Sequence, residues 1–245
     1  MAAASVKCYF DIVCPNSWMA IQALTARSHL FGELHFEPVC DFKIGILHNS
    51  NIWNQRRKVH NSRIWKKKNE VDEPLQQSEG FLRRIDERGK NVLILENFPQ
   101  PPEDWKQIYR TAVSRGSIIP QLYLISIKQK FPDLYLKAIN HIGNRLWVSK
   151  LPVHYGCHMS TVSRELGISF KNSEDIVARL STPENRHILH NNCREAVELK
   201  LTEAPGIIAT LDGGEVVKYD HIGHLLSIYN NFPNHHINEQ DRLRN

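Results

Sequence analysis

The sequence contains no Cys-x-x-Cys pair, no glycine-rich nucleotide loop and no long apolar run. Its five cysteines, at positions 8, 14, 40, 157 and 193, are odd in number and irregularly spaced. This excludes the disulfide framework of a small secreted domain and favours a reducing compartment. No apolar segment is long enough to span a membrane, and the N-terminal residues lack the apolar region of a signal peptide. We therefore expect an intracellular protein without a membrane span.

An excess of one charge is also nearly absent, because 31 Lys and Arg residues stand against 26 Asp and Glu residues and give a net charge of +5. This mild excess suits anionic small molecules and does not by itself indicate nucleic acid. The basic, aromatic stretch over residues 56–68 is interpreted as a solvated helix face rather than an RNA-binding surface. His154 and His158 have helical spacing but no acidic partner in sequence, so we predict no metal site.

The composition supports a sizeable core, since 41% of the 245 residues are hydrophobic. Residues 6–13 are rich in β-branched and aromatic side chains and predict a buried strand. A helix over residues 18–30 and a strand over residues 33–39 follow. Strand, helix and strand in this order form a βαβ unit, which implies a parallel pair of strands.

Strand signals nearly vanish from residue 49 to residue 201, where the pattern is helical. The helices predicted there cover residues 79–89, a helix that opens at 102, and residues 134–148, 173–180 and 183–201. Strands return over residues 206–211 and 215–219 as a hairpin, and a helix over residues 221–229 closes the chain. The pattern predicts an α/β protein with an all-helical insertion.

Cys14-Pro15-Asn16-Ser17 lies where the first strand meets the first helix. The free N–H groups and the dipole of the helix stabilise a thiolate there, so the pKa of Cys14 is expected to fall. Pro15 is preorganised for the helix start, and Ser17 can donate a hydrogen bond to the sulfur. This tetrapeptide lacks a resolving thiol, so it can form a mixed disulfide or hold the sulfur of a bound thiol. The alternative is that Cys14 is a buried, unreactive side chain.

Candidate functional residues also lie at two further strand boundaries. Pro205 enters a predicted strand, where it removes a hydrogen-bond donor, and it is either a cis proline or an ordinary trans loop proline. Tyr219-Asp220-His221 lies at the last strand-to-helix junction, where a helix N-terminus can bind a carboxylate or Asp220 can act as a plain N-cap.

Residues 8–18 resemble the opening of kappa-class glutathione transferases, of the related bacterial 2-hydroxychromene-2-carboxylate isomerases and, more distantly, of DsbA. Further matching segments are 36–39, 45–47, 97–99, 195–197, Pro205, 212–214, Asp220 and 224–226. The similarity is good over residues 6–48 and 183–230. The resemblance implies a thioredoxin-like domain, made of residues 1–48 and 183–245, with a large all-helical insertion over residues 49–182.

The resemblance also implies the site residues. Cys14 and Ser17 would be catalytic, and the backbone of Ala204, before a cis Pro205, would pair with the cysteinyl part of glutathione. The residues implied in glutathione binding are Cys14, Pro15, Asn16, Asn51, Ala204, Pro205, Tyr219, Asp220 and His221. Glutathione would be a co-substrate, and no bound cofactor or metal is expected.

The function implied is a kappa-type glutathione transferase that conjugates glutathione to small electrophiles, as a homodimer in mitochondria or peroxisomes, with the cytosol as an alternative. Nucleic acid is not an expected partner. The sequence departs from the family pattern because Cys14 stands in place of a serine, Tyr219 in place of a serine and His221 in place of an arginine. These departures leave two alternatives open. One is a monothiol oxidoreductase or a glutathione-dependent peroxidase or isomerase, and the other is a non-catalytic thioredoxin-like binding protein.

Overall fold

The computed structural model describes residues 3–26, 28–47, 105–211 and 213–219. Within these residues the strands β1 (Ala3–Phe10), β2 (Phe31–Pro38), β3 (Gly206–Leu211) and β4 (Val216–Tyr219) form one sheet in the order β2-β1-β3-β4. β1 and β2 are parallel, whereas β3 runs antiparallel to both of its neighbours. The predicted parallel pair and the predicted hairpin are therefore confirmed. β1 and β2 begin two or three residues earlier than the sequence indicated.

Helices fill most of the rest of the described chain. They are α1 (Pro15–Ala26), α2 (residues 41–47), α3 (Trp105–Arg115), α4 (Ile118–Lys130), α5 (Tyr135–Gly143), α6 (Gly156–Glu165), α7 (Phe170–Arg179) and α8 (Pro183–Glu198). Short 3-10 turns cover Ser28–Leu30 and Pro132–Leu134, and a π-helical segment, Asn144–Val148, continues α5. None of the described helices is long and apolar enough to cross a membrane.

Three of the predicted helical segments correspond to observed helices. The segment 134–148 is α5 with its π-helical continuation, 173–180 lies in α7, and 183–201 contains α8. The segments 79–89 and 221–229 lie outside the described residues. The division of the chain at residues 48 and 182 stays a prediction, although the strands do lie on either side of the helices α3–α8.

The central strand β1 is buried on both faces. Val6, Cys8, Tyr9 and Phe10 are fully buried, and the Phe10 ring meets that of Phe36 on β2 edge to face, with centroids 6.1 Å apart. On β2, the Phe36 carbonyl accepts a hydrogen bond of 2.8 Å from the hydroxyl of Tyr135 on α5. A strand covered on both faces carries a nearly continuous apolar run, which is the pattern that the sequence shows.

The helical part of the chain fixes the carboxyl ends of β1 and β2. The Gln121 side-chain amide on α4 donates to the carbonyls of Phe10 and Val39, at 2.9 and 2.6 Å. The indole N–H of Trp147 donates to the Ile12 carbonyl at 3.1 Å. The Phe10 carbonyl also accepts from the Val39 amide at 2.9 Å. Together these bonds engage the backbone where both strands end, so they hold the loops after the strands in place.

Candidate functional site around Cys14

One edge of the sheet collects the segments that the sequence singled out. β1 and β2 end together, since Phe10 pairs with Pro38. β3 begins beside them, with Gly206 opposite Tyr9, and β4 ends there, with Tyr219 opposite Ile207. The loop that carries Cys14 and the segment that carries Pro205 therefore lie at the same edge. The sheet brings together residues that are about 190 positions apart in sequence.

Cys14 stands at the start of α1. Its amide donates to the Asp11 carbonyl at 2.8 Å, and its carbonyl accepts the first helical bond, from the Trp18 amide at 3.1 Å. Cys14 is thus in the capping position, and Asn16 and Ser17 lie inside the first turn rather than before it. The side chain is only 1% exposed, and its sulfur donates to the Ala204 carbonyl at 3.5 Å.

The Ala204–Pro205 peptide bond is cis, which confirms the choice of a cis proline over a trans one. Ala204 is buried, and both of its polar backbone groups are already hydrogen-bonded within the protein. Its carbonyl accepts from Cys14, and its amide donates to Oδ1 of Asp41 at 2.7 Å. The contact that the family resemblance implies between Ala204 and glutathione therefore competes with Asp41.

Asp11 holds the ends of both parallel strands together. Its carboxylate accepts hydrogen bonds from the Val13 amide at 3.1 Å, the Asp41 amide at 2.9 Å and the Ser117 hydroxyl at 2.7 Å. The side chain is 2% exposed, and burial raises its pKa from 3.8 to about 6 in spite of these three hydrogen bonds, which lower it. The buried carboxyl of Asp11 is thus a structural centre directly beneath the Cys14 loop.

The electrostatics of Cys14 are the reverse of the sequence expectation. Burial first, and then the carboxylates of Asp41 and Asp11, raise the pKa of Cys14 to about 12. Hydrogen bonding from the amide and the hydroxyl of Ser17 lowers the pKa of Cys14. The Ser17 hydroxyl also accepts a hydrogen bond from the Asp11 amide at 3.1 Å, and the catalytic role of Ser17 stays a prediction. The predicted lowering of the Cys14 pKa is nevertheless wrong, because withdrawal from water and two nearby carboxylates outweigh the helix start.

The remaining implied site residues fall into two groups. Asn16 is 4% exposed, and its side-chain oxygen accepts no hydrogen bond from the residues that the structure describes. Tyr219 is buried at the end of β4, on the edge of the sheet that carries Cys14. Asn51, Asp220 and His221 lie outside the described residues, so their roles stay predictions.

The sequence reasoning gave no role to Asp11, Asp41 and Tyr109. Tyr109 is a buried residue of α3, and its pKa is raised by burial and then by the nearby Cys14, Asp41 and Asp11. It therefore lies close to the reactive edge and belongs to the helical part of the chain. An acidic residue directly after a buried strand was a signal that could have pointed to Asp11. Asp41 lies beyond the end of β2, at the start of α2, and gave no such signal.

Cys40 and Cys193 contact each other in a second group of buried cysteines, apart from Cys14. The Cys40 amide donates to the sulfur of Cys193 at 3.3 Å, and the Ser117 hydroxyl lies 3.5 Å from the sulfur of Cys40. Both thiols are buried, and burial raises their pKa values to about 11 and about 12. All five cysteines are free thiols in the structure.

The histidine pair at the start of α6 has a local structural role. His154 contacts the Gly116 carbonyl through Nδ1 at 3.0 Å, and Nδ1 of His158 accepts the Tyr155 amide at 3.2 Å. Within the described ranges, no group of three or more His, Cys, Asp or Glu side chains is arranged to hold a metal ion.

Solved structures with the same architecture cover almost the whole chain. A 2-hydroxychromene-2-carboxylate isomerase is 16% identical, covers 93% of each chain and superposes with a TM-score of 0.58. The chain has a DsbA-like thioredoxin fold. The cytosolic disulfide reductase DsbM from Pseudomonas aeruginosa is 14% identical, with a TM-score of 0.56, over 94% of this chain and all of DsbM.

DsbM solved with glutathione gives the same TM-score of 0.56 over 93% of this chain and 99% of DsbM. No family model and no curated protein matches the sequence. At these identities the likeness establishes the DsbA-like thioredoxin fold and its helical insertion, as the sequence predicted, in a chain whose sequence has diverged widely.

Proposed function

We propose that this protein is a monothiol thiol-disulfide oxidoreductase, in which Cys14 exchanges with a disulfide. One observation carries the proposal: the sulfur of Cys14 lies at the start of α1 and contacts the carbonyl of the residue before the cis proline. Solved neighbours of this fold include a disulfide reductase, one structure of which contains glutathione. They support chemistry at sulfur.

The exchange balances as a simple substitution. The thiolate form of Cys14 attacks one sulfur of a disulfide RSSR, a bond forms between Cys14 and RS, and the second RS leaves and takes up the proton that Cys14 lost. A free thiol such as glutathione then attacks the mixed disulfide and regenerates Cys14. The tetrapeptide holds no second thiol, so release requires an external one.

The high pKa of Cys14 sets the pH dependence of this step. Because its pKa is raised to about 12, Cys14 is almost entirely the neutral thiol at pH 7. The rate of mixed-disulfide formation should therefore rise tenfold with each pH unit between pH 6 and pH 9 and show no plateau there.

The test is the intact mass of the protein after treatment with oxidised glutathione. Cys157 is exposed and would add its own adduct, so the experiment uses Cys157→Ser as the background. An adduct that persists in Cys40→Ser and is lost in Cys14→Ser is the expected result. A Cys14 that forms no adduct at pH 8.5, in protein that is folded, contradicts the proposal and favours the non-catalytic binding protein.

A kappa-type transferase is the second candidate, and the retained Ser17 hydroxyl beside the sulfur position favours it. In that reaction the sulfur of bound glutathione attacks an electrophile, and Cys14 and Ser17 only donate hydrogen bonds to it. A thiol is a weaker donor than a hydroxyl, so Cys14 would hold the glutathione sulfur less firmly than the serine that it replaces, and this reaction is the less well supported of the two. The carboxylates of Asp11 and Asp41 disfavour a thiolate in both reactions. Conjugation of glutathione to a chlorinated nitroaromatic, lost in Ser17→Ala and increased in Cys14→Ser, would instead establish the transferase.

A further inference from the structure

The two polar backbone groups of Ala204 lie next to Cys14, where a ligand bound at Cys14 could pair with them. The sulfur of Cys14 is 3.5 Å from the Ala204 carbonyl oxygen. A disulfide bond is about 2 Å long, so a ligand sulfur bonded to Cys14 lies within about 5.5 Å of the Ala204 carbonyl oxygen. The peptide groups on either side of that ligand sulfur then come within reach of the Ala204 backbone, as in the pairing of an added strand.

The carbonyl of Ala204 becomes available when Cys14 reacts. In the free protein this carbonyl accepts the S–H of Cys14. A mixed disulfide has no S–H, so the carbonyl oxygen loses its donor as the S–S bond forms. A ligand that brings an N–H group can then donate to it.

The amide of Ala204 does not become available in the same way. It donates to Oδ1 of Asp41 at 2.7 Å, a short hydrogen bond to a carboxylate. Asp41 is itself held, because its own amide donates to the buried carboxylate of Asp11 at 2.9 Å and it begins α2. A ligand carbonyl must displace Asp41 to reach this amide.

We propose that Asp41 determines the specificity of the Cys14 site by occupying the Ala204 amide. The site therefore disfavours disulfides whose sulfur is flanked by a peptide carbonyl, glutathione and cysteine peptides included, relative to small disulfides without one. This specificity rests on the proposed exchange reaction at Cys14. It concerns which disulfide reacts, whereas the exchange itself requires only Cys14.

The size of the effect follows from the bond that must be broken. A partly buried carboxylate oxygen that loses its hydrogen-bond donor is costly, and the corresponding discrimination against peptide disulfides is roughly tenfold or more. Removal of the Asp41 carboxylate should therefore raise the reaction rate of peptide disulfides by this factor. Small disulfides should change only as far as the reactivity of the Cys14 thiol itself changes.

The experiment compares two neutral disulfides, so that charge does not decide the result. One is oxidised N-acetylcysteine N-methylamide, which carries peptide groups, and the other is bis(2-hydroxyethyl) disulfide, which carries none. The rate of adduct formation at Cys14 is measured by intact mass in the Cys157→Ser background, and the ratio of the two rates is the readout. Any change in the pKa of Cys14 acts on both rates and cancels in the ratio.

Three variants test whether a change in this rate ratio is specific to the Asp41 carboxylate. Asp41→Ala should raise the rate with the peptide disulfide, relative to the rate with the small disulfide, roughly tenfold. The reason is that Asp41 then no longer accepts the hydrogen bond of the Ala204 amide. Asp41→Asn should raise it less, because the side-chain amide oxygen still accepts from Ala204. Asp133→Asn, which changes an exposed aspartate, should leave the ratio unchanged. Thermal unfolding verifies that each variant is folded, and Asp41→Ser, with a shorter polar side chain, serves in place of Asp41→Ala if that variant unfolds.

The outcomes separate this inference from the proposed function. No adduct at Cys14 with either disulfide overturns the exchange reaction and the specificity with it. Adducts at Cys14 whose ratio is the same in wild type, Asp41→Ala and Asp41→Ser overturn the role of Asp41 alone. An equal increase in Asp41→Ala and Asp41→Asn also overturns it, because the charge and not the occupied amide would then be responsible.

Discussion

The carboxyl ends of β1 and β2 carry the same local arrangement and differ in what faces them. Cys14 follows β1 and caps α1, and Cys40 follows β2 and caps α2, since the Ile44 amide donates to the Cys40 carbonyl at 3.0 Å. Each sulfur is buried and has a neighbouring aspartate. Opposite Cys14 lies the cis-proline segment, whereas opposite Cys40 lie Ser117 and Cys193. A cysteine at a helix start is therefore not enough to define the site.

The comparison shows where specificity enters. Both thiols have raised pKa values, about 12 for Cys14 and about 11 for Cys40, so thiol acidity does not distinguish them. The distinction is geometric, because only the Cys14 sulfur touches a backbone segment whose peptide groups a ligand can use. Asp11 and Asp41 connect the two ends through hydrogen bonds.

The largest expected effect comes from removing the Asp11 carboxylate, which connects the two strand ends. Asp11→Ala leaves the Val13 amide, the Asp41 amide and the Ser117 hydroxyl without their acceptor. We expect it to lower the free energy of unfolding by roughly 3–5 kcal/mol at pH 7, because three donors are left unpaired at about 1–3 kcal/mol each and the relieved cost of the buried charge offsets only part of this. Urea denaturation measures this, and a loss below 1 kcal/mol would show that the two strand ends are held independently of Asp11.

The second effect is the pH dependence that Asp11 confers. Its pKa is raised from 3.8 to about 6 on folding, so the folded state binds the proton more tightly than the unfolded state. This carboxyl therefore costs stability above pH 6, by about 3 kcal/mol, and the cost is relieved as the pH falls from 6 to 4. Compared with wild type, Asp11→Asn should lose stability over that interval; parallel pH curves would contradict the raised pKa.

The sequence predicted the elements whose signals are local. The strand pattern of residues 206–219, the start signal at Pro183 and the proline at the entry to β3 each depend on a few neighbouring residues. The α4 helix gave no comparable signal, because nearly every residue from Pro120 to Ile127 is buried and no polar face marks a helical period. The contact between Asp41 and Ala204 joins residues 163 positions apart, and neither residue type suggests the other.

The third prediction concerns the support behind each strand end. Gly143 on α5 lies against the Trp18 ring of α1, so a methyl group there would overlap the indole. Gly45 on α2 has open space around its Cα. Gly143→Ala should cost about 2 kcal/mol by overpacking, whereas Gly45→Ala should stabilise the protein by about 0.5 kcal/mol through helix propensity. Thermal unfolding of both variants measures whether the helix at the Cys14 end is more tightly packed than the helix at the Cys40 end.

The fourth prediction separates the two thiols by charge. The carboxylate of Asp41 is the second largest cause of the raised pKa of Cys14, whereas it is the weakest of the influences that shift the pKa of Cys40. Asp41→Asn should speed alkylation of Cys14 by iodoacetamide roughly three- to tenfold at pH 8 and change Cys40 by less than about twofold. Peptide mapping after timed alkylation measures both rates, with Asp133→Asn as the control.

The smallest effect tests the Cys40 end alone. Ser117 donates to Asp11 at 2.7 Å and lies 3.5 Å from the sulfur of Cys40, and its hydrogen bond lowers the pKa of that thiol. Ser117→Ala should therefore slow alkylation of Cys40, leave the rate at Cys14 nearly unchanged and cost about 1 kcal/mol of stability.

Ser114→Ala provides the matched control, because its exposed hydroxyl donates to the carbonyl of Thr111 on the same helix, and it should stay within about 0.5 kcal/mol of wild type. If Ser117→Ala instead slowed both cysteines equally, the hydroxyl would act through Asp11 on the whole edge of the sheet. The two strand ends would then be one electrostatic unit, and the separate treatment of Cys14 and Cys40 would fail.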